Sequence, residues 1–175
     1  PGCELSLSSL QRLRSLRWVV EYESLEEGAA SPLPRVPDCL AHLLVFNCEY
    51  QPLTLEAGQL SALHQLETLS LGENTPTPGS FADFTSLTSL TYMCLTRCEL
   101  ASLPAQLSSL TALRCLIACG NGLGESAEGV ASLGVLGSLP NLEYLDLEGC
   151  NLPGTCPLPW QPPARLRVLC IGSNP

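Results

Sequence analysis

The sequence predicts an α/β repeat solenoid, a curved horseshoe with a parallel β-sheet on its concave face and loops with short helical or 3₁₀ turns on its convex face. Three observations predict it. A leucine pattern, L-x-x-L-x-L, recurs in seven copies along the 175 residues. In six of those copies an asparagine or cysteine stands at one fixed position after the pattern. Composition agrees: 45% of residues are hydrophobic but only 5% aromatic, so leucine must supply most of the core. With only 14% charged residues, the chain is not of the disordered class, which combines low hydrophobicity with high net charge.

The copies run in order along the chain. The first, "LRSLRWVVEYE" from Leu13, is the weakest, with Trp18 and Glu21 at pattern positions. "LAHLLVFNCEY" follows from Leu40 and "LETLSLGENTP" from Leu66, ending on Tyr50 and Pro76 where other copies have leucine. "LTYMCLTRCEL" starts at Leu90, "LRCLIACGNGL" at Leu113 with Ala118 for a leucine, and "LEYLDLEGCNL" at Leu142. "LRVLCIGSNP" from Leu166 is the last. Repeat strands are therefore expected near 13, 40, 66, 90, 113, 142 and 166, spaced 23 to 29 residues apart. Periods of this length mark stacked repeats. Each L-x-L core is too short to stand alone as a strand, but side by side the copies pair as a parallel sheet. Alternation then turns Leu69 and Leu71, or Leu145 and Leu147, inward and the intervening residues to solvent. Five starts also have a leucine three residues earlier, and the other two have Pro37 and Pro163.

This pattern, L-x-x-L-x-L-x-x-N/C-x-L, resembles the leucine-rich repeat family over almost everything from Leu7 onward. The resemblance implies that the N/C position closes each strand, its side chain bonding to backbone of its own and adjoining turns. The ladder would read Cys48, Asn74, Cys98, Asn121, Cys150 and Asn174. A thiol, small and a weak donor, substitutes there for the amide. The resemblance also implies a role: such domains serve as sensors, adaptors, cytoskeletal or ciliary assembly factors, and recognition arms.

The return legs differ in length. "ELASLPAQLSSLTAL" reads as a compact leg, and "GLGESAEGVASLGVLGSLPNL" as a longer one with helix around Ala127 to Leu136. "TPTPGSFADFTSL" and "PGTCPLPWQPPAR" are proline-rich and are expected to be extended or turn-like. Phe81, Phe84 and Trp160 are expected to fill space behind the sheet. We expect one domain over residues 1–175, with both ends truncated within repeats: Cys3-Glu4-Leu5 matches Cys98-Glu99-Leu100, and the chain stops just beyond the ladder residue Asn174.

The net charge is -9 and all eight basic residues are arginine. Such a surface repels phosphate backbones and anionic lipid, so neither nucleic acid nor membrane insertion is expected. The densest acidic run, Glu21 to Glu27, reads as a solvated loop. Among the ten cysteines, Cys115 and Cys119 share a face but lie about 13 Å apart along one strand, beyond disulfide reach. No C-x₂-C pair supplies zinc spacing. Reduced thiols point to a cytoplasmic home, with cytoskeletal or ciliary association as an alternative; an extracellular one would require disulfides.

No catalytic residue, metal or cofactor is expected. His42 lies about 10 Å from Cys94, two strands away, and no phosphate-binding loop or H-E-x-x-H motif occurs. What remains is the outer face, displaying His42/Leu44/Phe46, Thr68/Ser70/Gly72, Tyr92/Cys94/Thr96, Cys115/Ile117/Cys119, Tyr144/Asp146/Glu148 and Val168/Cys170/Gly172. Exposed aromatics on a rigid surface resemble interface anchors. The expected contact site for a protein partner is Tyr92, Ile117 and Tyr144 with an acidic edge at Asp146 and Glu148, joined on the same face by His42 and Phe46. The expected function is a non-catalytic protein-interaction scaffold. The alternative is a recognition or regulatory fragment of a larger enzyme or receptor, such as a kinase, ubiquitin ligase or nucleotide-binding immune sensor, whose chemistry lies outside these residues.

Overall fold

The recurring leucine at each copy's start closes a turn before it opens a strand. In the computed structural model, which describes residues 7–20, 35–47, 58–76, 78–154 and 161–175, Leu66 N donates to Leu63 O at 3.0 Å and Leu113 N to Leu110 O at 2.9 Å. The same bond runs from Leu40 N to Pro37 O at 3.3 Å and from Leu166 N to Pro163 O at 2.9 Å. Proline keeps this bond because the turn uses its carbonyl; what it gives up is the bond the leucine N–H makes elsewhere, as in Leu63 N to Leu60 O at 3.0 Å and Leu110 N to Leu107 O at 2.9 Å.

Two residues beyond each such leucine a strand begins. β1 is Ser15–Val20, β2 His42–Asn47, β3 Thr68–Ser70, β4 Tyr92–Cys94, β5 Cys115–Ile117, β6 Tyr144–Asp146 and β7 Val168–Cys170. They form one seven-stranded sheet in sequence order, every neighbouring pair parallel. The register aligns the L-x-L cores: Leu43 faces Leu69, Leu69 faces Met93, and Leu116 faces Leu145. These inward residues, with Val45, Leu71, Leu95, Ala118 and Leu147, are completely buried. Each large apolar side chain so removed from water contributes about 1.5–3 kcal/mol.

The convex legs close the core from behind. A 3₁₀ helix over Pro78–Ser86 forms in the leg expected from its prolines to be extended or turn-like. Its first residue is Pro78, and a proline at the first helical position gives up an N–H that has no helical partner in any case. That helix carries Phe84 into the core and sets Phe81 edge-on against it, ring centroids 5.4 Å apart. A second 3₁₀ helix, Ala105–Ser109, buries Leu107. The longest leg forms α1, Ala127–Ser132, running directly into a 3₁₀ helix at Leu133–Ser138. Ser126 caps α1, its Oγ accepting from Gly129 N at 3.0 Å. Gly129 is required: a Cβ there would lie 2.4 Å from the carbonyl oxygens of both Ala101 and Leu123.

The strand-closing ladder is present where it is described. Asn121 is 3% exposed; its Oδ1 accepts from Cys98 N and Leu100 N, both at 3.0 Å. Its Nδ2 donates to Leu95 O at 2.8 Å and Ala118 O at 2.7 Å. Asn174 repeats the arrangement on Cys150 N, Leu152 N, Leu147 O and Ile171 O. The cysteines act as donors instead, Cys98 Sγ to Leu71 O at 3.1 Å and Cys150 Sγ to Ala118 O at 3.2 Å. Burial pushes the Cys98 thiol up to about 12 and raises that of Cys150. Cys3, the acidic run 21–27, Cys48, Tyr50, Cys156 and Trp160 lie outside the described residues.

Candidate protein-interaction face

Because the strands pair in register, their outward residues form rows across the sheet. One row is His42, Thr68, Tyr92, Cys115, Tyr144 and Val168. The next is Leu44, Ser70, Cys94, Ile117, Asp146 and Cys170. A third continues past the strand ends, where Arg97 N donates to Cys119 O and Gly120 N to Glu148 O. Adjacent members of a row stand about 4.8 Å apart.

This geometry brings five of the seven expected contact residues together. Tyr92 and Tyr144 flank Cys115 from the strands on either side, and Ile117 faces Asp146 directly. Tyr92, Ile117, Tyr144 and Asp146 are half-buried, and Glu148 is exposed. His42 and Phe46 do not join them. His42 stands on β2 with β3 between it and Tyr92, its Nδ1 lying 3.1 Å from Thr68 Oγ1. Phe46 is four residues along the same strand, and its side chain is outside what the structure describes. Ser70, expected to face solvent, is 6% exposed: its short side chain sits between the larger Leu44 and Cys94 in its row.

Protonation leaves the two phenols and Cys115 uncharged near neutral pH. Burial, and then Cys94 and Cys115, raise the pKa of Tyr92. Burial, and then Cys94 and Asp146, raise that of Cys115. Tyr144 is pushed up to about 12, first by its hydrogen bond with Cys170, whose Sγ lies 3.6 Å from the phenol oxygen. Just past the end of β4, Thr96 Oγ1 lies 3.3 Å from both Cys94 Sγ and, just past the end of β5, Cys119 Sγ, which holds these side chains in place. Asp146 turns one oxygen back to accept from Glu148 N at 2.9 Å. Off these rows, Arg97 pairs with Glu73, and Arg114 and Arg167 with Glu143.

Two structural features escaped the sequence reading. Asp83 is 6% exposed, and its carboxylate accepts from Gly58 N and Leu60 N at 2.9–3.0 Å, tying one return leg to the previous one. Its only sequence signal is an acid among apolar residues of a proline-rich leg. The residue just before each described ladder position adopts positive φ: Glu73, Arg97, Gly120, Gly149 and Ser173. Glycine at two of the five was the available sign.

One parallel strand per repeat, a leucine-closed turn before each strand and an asparagine–cysteine ladder after it define this chain as a leucine-rich repeat solenoid. Residues 141–162 match the Leucine Rich Repeat family model. A search of curated proteins gives no match. Among solved structures the chain is similar to an internalin (inlF) from Listeria monocytogenes str. 4b F2365, at 17% identity and a TM-score of 0.44. That alignment covers 97% of this chain and 57% of the internalin.

Proposed function

We propose that this chain is a protein-interaction module that holds a partner against the outer face of its sheet, over β4 to β6, without chemical turnover. The observation that carries the reading is the row geometry. Tyr92, Ile117 and Tyr144 are half-buried side chains on three consecutive strands, β4, β5 and β6, each of which is paired on both sides. Aromatic and aliphatic groups fixed in this way lose little entropy on binding. Catalysis has no comparable support: His64 Nδ1 lies 3.2 Å from Ser86 O on a turn, and His42 is engaged with Thr68. No helix among the described residues is long and apolar enough to cross a membrane. Cys39, Cys94, Cys98, Cys115, Cys119, Cys150 and Cys170 are free thiols, which supports a reducing, cytoplasmic setting.

The test is site-specific photocrosslinking. A benzophenone side chain placed at Ile117 should trap a discrete partner from cell extract, while one at Ala131 on α1 should not. Tyr144→Ala with Asp146→Arg should abolish that adduct and leave the circular dichroism spectrum unchanged. Equal adducts from both positions would refute the face.

A further inference from the structure

We infer that the partner segment seated over β4 to β6 is extended and basic, placing an apolar side chain on Ile117 and an arginine or lysine at the Asp146 and Glu148 carboxylates; this rests on the face proposed above. The electrical character of the patch has one source. Tyr92, Tyr144 and Cys115 are held protonated, so Asp146 and Glu148 are the charges that the three strands' outward rows present. Neither takes part in an ion pair among the described residues, whereas Glu73 and Glu143 on the flanks do. No arginine of the chain occupies these rows on β4, β5 or β6, so the cation that complements them comes from the partner. The whole molecule, at net charge -9, favours the same sign of partner at longer range.

The spacing fits an extended segment. Ile117 and Asp146 are in direct register on neighbouring strands, about 4.8 Å apart, and Cys94 lies one strand further in the same row. Side chains two residues apart on an extended peptide lie on one side, about 6.6 Å from each other. A peptide crossing the strands therefore sets an apolar residue on Ile117 and its next same-side residue within reach of Asp146. Tyr144, beside Asp146 on β6, offers a ring face for the cation's stem and charge.

The experiment uses the full 175-residue chain and three fluorescein-labelled peptides, Gly-Leu-Ser-X-Ser-Leu-Gly with X as Arg, Gln or Glu, so that X shares a side with the leucine two residues away. Anisotropy should rank the Arg peptide tightest and the Glu peptide undetectable. The double variant Asp146→Asn, Glu148→Gln should weaken the Arg peptide about tenfold or more, the equivalent of one charge-assisted hydrogen bond. A charge-matched control away from the face, Glu99→Gln with Glu128→Gln, should change it less than twofold. Bound Arg peptide should also slow maleimide labelling of Cys115.

Equal losses in the two double variants would mean attraction to bulk charge and would overturn the inference. So would failure of all three peptides to bind. Should the Gln peptide bind as tightly as the Arg peptide, and Ile117→Ala and Tyr144→Ala weaken both, the basic partner falls while the face stands. Arg-peptide binding insensitive to all four face substitutions would remove the face as well.

Discussion

Asn121→Ala tests the reasoning at its most quantitative point. The side chain is buried and makes four close backbone contacts: Oδ1 accepts from Cys98 N and Leu100 N at 3.0 Å, and Nδ2 donates to Leu95 O and Ala118 O at 2.7–2.8 Å. Alanine removes all four partners. The two carbonyls each have a second lone pair and tolerate the loss better than donors do. The N–H groups of Cys98 and Leu100 have no such reserve, and a buried donor left unsatisfied costs about 1–3 kcal/mol. Two of them give about 2–6 kcal/mol, a large share of the roughly 5–15 kcal/mol that stabilises a typical domain. Cys98→Ala is the comparison. It removes a single thiol donor to Leu71 O, at 3.1 Å, and strands no N–H, so it should cost about 1 kcal/mol. Urea titration followed by far-ultraviolet circular dichroism gives both values, provided the slope m is unchanged between variants. The reasoning is refuted if Asn121→Ala costs less than 1.5 kcal/mol, or no more than Cys98→Ala.

Two further outcomes follow from the same backbone. Gly149→Ala should destabilise by about 1 kcal/mol, because φ is +60° and the nearest non-neighbouring atoms would lie 4.0 Å from the new Cβ, leaving backbone strain as the whole effect. Gly120→Ala should cost more, since its Cβ would also meet Arg97 Cγ at 2.8 Å; equal urea midpoints for the two variants would contradict this. Stability should also fall at high pH. The fold raises the Cys98 thiol from 9.0 to about 12, so the folded state holds that proton more tightly than the unfolded chain. Its contribution is therefore complete below pH 9 and declines as pH rises toward 12, with Cys115 and Cys150 shifted in the same direction. Urea midpoints at pH 8 and 10.5 check it: wild type should lose stability over that interval and Cys98→Ala should lose less.

The sheet was legible in the sequence because a solenoid uses one rule repeatedly. Each L-x-L contacts the same element of the next copy, so the period alone fixes register, inward residues and outward rows. The candidate face followed directly, since strand alternation decides which side Tyr92, Ile117 and Tyr144 occupy. The convex legs obey no such rule. Whether Pro78 continues an extended chain or opens a 3₁₀ helix depends on Phe84 finding the core behind β3 and β4, a contact no local pattern encodes. Positive φ at Glu73, Arg97 and Ser173 was equally hidden, because the ladder imposes it on residues that do not prefer it. His42 shares the predicted face yet stands apart from the patch, two strands from Tyr92, a separation the order of the copies already implied.

The ladder also explains how so small a strand set holds a fixed surface. Asparagine and cysteine alternate along it, and the two do different things. Asn121 and Asn174 each accept two N–H groups from the cysteine-bearing repeat before them. Those N–H groups are presented by a second positive-φ residue directly after each cysteine, Glu99 and Asn151. Cys98, by contrast, follows a repeat with Pro76, which has no N–H, at the place matching Leu100, and with Asn74 N already bonded to Leu71 O at 3.3 Å, so a donor thiol suffices. A cysteine repeat and the asparagine repeat after it thus form one hydrogen-bonded unit, β4 with β5 and β6 with β7. Tyr92 and Ile117 belong to the first unit, Tyr144 and Asp146 to the second. The seam between them is closed by Cys150 Sγ to Ala118 O at 3.2 Å, Gly124 N to Cys150 O at 2.9 Å and Asn151 Nδ2 to Glu125 Oε1 at 2.9 Å. Gly124 lets those backbones meet, since a Cβ there would fall 1.9 Å from Asn151 O. The spacing between Ile117 and Asp146, on which recognition of an apolar–basic pair depends, is therefore set by the backbone pairing of β5 with β6, including Ala118 N to Asp146 O at 2.9 Å, and by these contacts behind the strand ends, rather than by the side chains of the face itself.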